Sequence, residues 1–134
     1  MRSTKIVTSF ITSNEKFLLL KRSEKVKSMK SLWAGISGII EKNEESLQRA
    51  KIEIFEELGI KEDQIKLLKT AERMRVVSPQ YKNHEWEIFP FLFEANNPEI
   101  KLNWENSEYK WISTDELNNY KTVPNLEKVL LSLL

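Results

Sequence analysis

Gly38-Ile-Ile-Glu-Lys-Asn-Glu44-Glu45-Ser-Leu-Gln-Arg49-Ala-Lys-Ile52-Glu53-Ile-Phe-Glu56-Glu57-Leu-Gly59-Ile60 decides the reading of this chain. Two of its three glycines frame the stretch, and the third, Gly35, stands just upstream. Leu47, Ile54 and Leu58 recur at helical spacing with Ala50 beside them, so residues 45–58 are expected to form a helix that Gly59 stops. At ~100° per residue, Glu53, Glu56 and Glu57 share a sector about 100° wide, displaced by roughly a third of a turn from the apolar stripe. The helix is therefore expected to bury its stripe and aim three carboxylates into an open cleft. Such a triple is unfavourable when it is left bare. Glu53 and Glu57 repel at i,i+4 by a few tenths of a kcal/mol, and acids near a C-terminus oppose the helix dipole. A bound cation reverses both effects, and Mg²⁺ suits all-oxygen ligands that bridge to phosphate. Three acids on a helix more often form a solvated face; the ordered glycines and glutamates around them favour a metal site for phosphate chemistry.

Outward from this stretch the chain alternates short strand signals with turns. Residues 5–12 are rich in β-branched side chains, Ser13-Asn14 reads as a turn, and residues 16–21 form a second apolar run, which together predict a hairpin. Residues 23–30 are a polar loop carrying Lys25, Lys27 and Lys30, and residues 32–40 read as a strand that opens the glycine segment. Residues 63–70 fit a strand or a short helix. Residues 84–94 are strand-like and aromatic, with Pro90 predicting an edge or a bulge. Residues 100–103 and 109–112 read as further strands, Thr114 as the cap of a short helix to Leu117, and residues 125–134 as an amphipathic terminal helix. The sum is α+β, a mixed sheet sandwiched between helices in α/β/α layers.

Composition narrows the function classes. At 134 residues the expectation is a single domain spanning 1–134. A formal net charge of +1 supplies no field for a nucleic-acid polymer or a membrane surface. With no cysteine, disulfides, thiolate metal sites and cysteine nucleophiles are all excluded, which fits a reducing, cytoplasmic setting. No apolar run approaches the ~20 residues of a membrane span.

The framed stretch is similar to the Nudix hydrolase box, in MutT-like form: a glycine, five residues, Glu, seven residues, then Arg-Glu-hydrophobic-any-Glu-Glu-any-Gly-hydrophobic. Gly38, Glu44, Glu53, Ile54, Glu56, Glu57, Gly59 and Ile60 match in register, and only the arginine fails, being Ile52 here. Leu18-Leu19-Leu20-Lys21-Arg22 resembles the family's second strand. Trp33 and Glu41 fall at favoured positions, and Glu108-Tyr-Lys-Trp111-Ile-Ser-Thr-Asp-Glu116-Leu117 resembles its late strand-helix segment. Trp33-Ala-Gly-Ile-Ser-Gly38 and Thr122-Val-Pro124 are similar to archaeal members.

The resemblance implies a Nudix fold and metal-dependent hydrolysis of a diphosphate linkage in a nucleoside diphosphate derivative, by water attack at phosphorus. It implies Glu53, Glu56 and Glu57 as catalytic residues and as Mg²⁺ ligands (Mn²⁺ substituting), helped by the carbonyl of Ser37. Either Glu53 or Glu56 would accept the water's proton, and some relatives use a later acid, for which Glu105 and Glu108 are available. Gly38, Glu44 and Gly59 would support the box. Arg22 is the candidate for a diphosphate contact, and Trp33 for stacking on a base or, equally, for core packing. Ile52 removes the arginine that holds the family's glutamates. Arg49, at i,i+4 with Glu53, is the candidate replacement; the competing outcome is a nucleotide-binding module with weak or no hydrolysis. A third class, isopentenyl-diphosphate isomerase, shares the fold but usually assigns acid/base work to a cysteine. Residues 61–77 contain no proline or tyrosine of the kind associated with ADP-ribose or dinucleoside polyphosphate subgroups, so the substrate stays open. Relatives are often dimers, so a homodimer is admitted.

Overall fold

A computed structural model describes residues 2–78 and 81–134. Its strands are β1 (Arg2–Ser13), β2 (Lys16–Arg22), β3 (Trp33–Ala34), β4 (Ile36–Ile39), β5 (Lys66–Thr70), β6 (Met74–Val77), β7 (His84–Glu94) and β8 (Asn106–Ile112), and its helices are α1 (Ser46–Leu58) and α2 (Leu126–Ser132). They form one mixed sheet in the order β3-β2-β1-β7-β5, with β4 on β1, β6 on β7 and β8 on β2. The centre is the parallel pair β1 and β7, in register from Arg2↔His84 to Thr12↔Glu94. Asn14 and Glu15, both at positive φ, turn β1 into β2.

Alternation along these strands builds two cores. Val7, Ile11, Leu18, Leu20, Phe91 and Phe93 face α1, where they meet Ala50, Ile54 and Leu58. Phe10, Leu19, Ile88 and Leu92 face the other way, onto Leu117 and the α2 residues Leu126, Val129 and Leu130. The run Leu18-Leu19-Leu20 is wholly apolar because both of its faces are covered. The layers are thus helix, sheet, helix, as expected.

Three local expectations are corrected. Pro90 lies in a central strand, without a bulge in that strand: it is in register with Thr8 of β1, and on its other edge it sits opposite the break between β6, which pairs β7 up to Ile88, and β5, which pairs it from Phe91. Residues 100–103 are not a strand. Ile100 and Leu102 pack on the α1 core from a loop that Lys101 N–H ties to the Leu58 carbonyl at 2.8 Å. The late short helix is 3₁₀, Thr114–Asn119, and its cap is Ser113 rather than Thr114; the Ser113 N–H donates to Glu116 Oε1 at 2.9 Å. Residues 63–70 resolve into a 3₁₀ turn, Glu62–Gln64, followed by β5. No helix among the described residues is long and apolar enough to cross a membrane.

Candidate active site

α1 ends where its sequence says it should. Gly59 adopts φ 74° and its N–H donates to the Phe55 carbonyl at 2.9 Å, a left-handed C-cap. The preceding turns place the three box glutamates unequally. Glu57 is 4% exposed and Glu53 8%, whereas Glu56 is exposed. Helix geometry accounts for the order. Measured from Glu53 at ~100° per residue, Glu57 lies about 40° toward the apolar stripe and Glu56 about 60° away from it. The expectation of three carboxylates in one open cleft is therefore corrected: two are driven against the sheet and one faces outward.

Glu53 rests on Gly38 of β4. A Cβ at Gly38 would overlap the Glu53 carboxyl group, so only glycine lets strand and side chain approach this closely. From the helix side, Arg49 Nη1 donates to Glu53 Oε2 at 2.9 Å. The same guanidinium holds Glu44 in a fork, Nε to Oε1 at 2.9 Å and Nη2 to Oε2 at 2.7 Å. Glu44 Oε1 also accepts the Glu41 N–H at 2.7 Å, which closes the turn before α1. The Arg49 hydrogen bond is the main reason that the Glu44 carboxyl sits below the usual carboxylate range. Glu53 is pushed up, because burial outweighs the bond from Arg49.

Glu57 has a different partner. Asn106 Nδ2 donates to its Oε1 at 3.0 Å, while Oε2 is buried without a hydrogen-bond partner among the described residues. Burial first, and the neighbouring Glu105 carboxylate second, push the Glu57 carboxyl up to about 9. Glu105 is held in place by its own turn, with its N–H donating to Asn103 Oδ1 at 3.0 Å and its carbonyl accepting the Ser23 N–H at 2.8 Å. The late acid brought to the box is thus Glu105. Glu108 instead pairs with Lys21 at 3.3 Å on the surface of β8. Asn106 was not legible in the sequence, since it meets Glu57 across 49 residues.

The donors suit a hard divalent cation in kind: all are oxygens, one buried carboxylate oxygen lacks a partner among the described residues, and the Glu105 charge adds to burial in raising the proton affinity of Glu53 and of Glu57. Among the described residues, however, no three acidic, histidine or cysteine side chains are grouped closely enough to cage an ion.

On the other side of the Ser37-Gly38 strand lies a cavity of about 300 Å³. Its walls include Ile6, Ile88, Trp86, Tyr81, Asn125 and Arg22, and no carboxylate lines it. Arg22 donates Nε and Nη2 to the Ser28 carbonyl at 3.2 and 3.0 Å, which fixes the guanidinium in the cavity wall. Ser37 itself pairs by its hydroxyl with Thr8 at 3.1 Å. Trp33 is placed in the core, 9% exposed and edge-on to Tyr120 at 5.0 Å, and does not line the cavity. Trp86 and Tyr81 are the tryptophan and tyrosine that do line it. Lys25, Lys27 and Lys30 are exposed on their loop.

A family model described as NUDIX domain matches residues 3–133. No curated protein matches the chain. Among solved structures, an Ap4A hydrolase from C. elegans in a binary complex superposes with a TM-score of 0.78 at 19% identity, covering 96% of this chain and 93% of that one. A MutT protein from Methanosarcina mazei Go1 gives 0.73 at 22%, covering 93% and 87%. A MutT NUDIX hydrolase from Burkholderia pseudomallei gives 0.77 at 19% and covers both chains completely. At these identities the likeness to the solved structures is one of fold.

Proposed function

Because this chain belongs to the NUDIX family of pyrophosphohydrolases, we propose that it hydrolyses a diphosphate linkage in a nucleoside diphosphate derivative, such as a nucleoside triphosphate or a nucleotide sugar. The observation that carries the substrate class is the shared wall. Ser37 and Gly38 line an apolar, aromatic, acid-free cavity on one side, and Gly38 bears the Glu53 carboxylate on the other. A neutral planar base would be taken into this cavity, whose walls include Trp86 and Tyr81. Its diphosphate then passes Arg22 and arrives at the glutamates.

Glu53 and Glu57, joined by Glu56 and the carbonyl of Ser37, would hold Mg²⁺, with Mn²⁺ as a substitute. When bound, such an ion neutralises diphosphate oxygens and lowers the pKa of a coordinated water. Arg49 keeps the Glu53 carboxylate from turning away, and Asn106 does the same for Glu57. Glu105 adds negative charge beside both, which favours cation capture. Arg22 supplies positive charge at the cavity mouth and orients phosphate through its Nη1.

The test is a panel of nucleoside triphosphates, nucleotide sugars and dinucleoside polyphosphates with Mg²⁺ or Mn²⁺, run beside Glu57→Gln. Turnover of at least one compound by wild type and its loss in the variant are expected. No turnover on any compound, or equal turnover in both, rejects the reading; retained nucleotide binding without turnover would select a binding module.

A further inference from the structure

Resting on that reading, we propose that Arg49 is the positioning residue of this site, and that it transfers the support of the box from Glu56 to Glu53. The box pattern puts its arginine at 52, at i,i+4 with Glu56. Here position 52 is isoleucine, which lines a surface groove with Glu45, Phe55 and Glu56 and offers no charge. The guanidinium has moved to 49, and its i,i+4 partner becomes Glu53.

Three observations show that the transferred support is a clamp and not a surface ion pair. Arg49 is only 14% exposed in its side chain and uses Nε, Nη1 and Nη2 together, bonding two carboxylates at 2.7–2.9 Å. Its fork on Glu44 is anchored in turn by the Glu41 N–H, so the clamp is rooted in the turn before the helix. On its far side Glu53 meets Gly38, where there is no room for a Cβ, so the carboxylate is held between strand and guanidinium. The outward-facing Glu56 receives no comparable contact among the described residues. One acid is preset and the other is left free to adjust to the ligand.

The test reads Mn²⁺ affinity from the paramagnetic resonance of the free ion, and kcat and KM on the best substrate of the panel. It compares wild type with Arg49→Ala, Arg49→Lys, Glu44→Gln and the double variant Glu44→Gln/Arg49→Ala. Lowered Mn²⁺ affinity and kcat, each by roughly 10- to 100-fold, are expected for Arg49→Ala, with KM shifted by less than about threefold. Because Glu44 acts through Arg49, the double variant should lose no more than Arg49→Ala alone. A folded Arg49→Ala with affinity and kcat within about twofold of wild type, or additive losses in the double variant, would overturn the proposal. If Arg49→Ala does not fold, Arg49→Lys decides: it keeps the charge but lacks the fork, so wild-type values in it also reject the clamp. Should wild type neither bind Mn²⁺ nor hydrolyse anything, the proposed activity has failed separately. A thermal double-mutant cycle between Arg49 and Glu53 then judges the clamp, coupling supporting it and additivity sinking it.

Discussion

At the scale of single residues, the site rests on contacts that admit little substitution. Gly38→Ala places a methyl group where the Glu53 carboxyl lies, so the acid must leave its clamp. The expected result is a loss of Mg²⁺ affinity and kcat of roughly 10- to 100-fold, measured by calorimetry and steady-state kinetics; an alanine variant with wild-type affinity would show that Glu53 need not sit there. Glu57→Gln separates binding from folding. Glu57 is buried and its carboxyl is pushed up to about 9, so without metal it is protonated at neutral pH; glutamine, close to that neutral acid in shape, should leave Tm in chelator nearly unchanged, while the rise in Tm on adding Mg²⁺ disappears. Both residues stood out in the sequence by position within the box. Their surroundings were only partly legible: Glu105 was named with Glu108 as an available late acid, whereas Asn106 was not, since no local periodicity marks a partner 49 residues away. Arg49 is the intermediate case. Its i,i+4 spacing to Glu53 was readable, whereas its fork on Glu44 depends on a turn conformation that only the folded chain reveals.

Elements differ in how far their own sequence specifies them. α1 was legible almost to the residue, because 13 residues of amphipathic pattern end at a glycine in the left-handed region. Ile54 is the centre of its buried face, fully covered by the sheet. Ile54→Ala should therefore cost about 2–5 kcal/mol by urea denaturation, and a much smaller loss would mean that the α1 face can collapse onto the cavity. The short 3₁₀ helix after β8 was legible in kind but misplaced by one residue, since Ser113 and Thr114 are both competent caps and only geometry selects Ser113. That choice has a pH signature. The Ser113 N–H and hydroxyl hold the Glu116 carboxyl below its usual 4.5. A depressed folded-state pKa contributes stability above the unfolded value, which is lost as pH falls through the folded one. Thermal melts should show wild type more stable than Glu116→Gln at neutral pH, with the gap closing in the acid range below about 4.5; a gap independent of pH would count against the ionised cap. Pro90 shows the opposite limit, because its tolerance in a central strand depends on where β5 stops and β6 starts, which are features of other segments.

For the molecule as a whole, the layers bring two unlike environments to either side of one strand. The cavity is walled by residues from β1, β4, β6, β7 and the segment before α2, so nothing in any single stretch announces it. The sequence allowed Trp33 either a base or the core, and the fold commits it to the α2-side core, while Trp86, which lines the cavity, had no local mark. If Trp86 stacks on a base, Trp86→Ala should weaken substrate binding by roughly 1–3 kcal/mol, seen as a raised KM with kcat nearly unchanged. An unchanged KM on every nucleotide of the panel would place the base elsewhere. The layered frame itself was foreseeable from the helix pattern, the apolar run of residues 16–21 and the strand-like, aromatic residues 84–94.

The parallel pairing of β1 with β7 also orders events in time. β1 is made well before its partner along the length of the strand, which begins at residue 84. Until that segment emerges, β1 has only the hairpin with β2 and the short β4 to lean on. α1 and the box must wait with it, their apolar face covered on one side only. Contacts of such long sequence separation slow folding, into the millisecond-to-second range for comparable topologies. The box is thus written early and completed late, and a nascent chain cut short before residue 94 would carry every box residue without the full β1–β7 pairing that sets them in place.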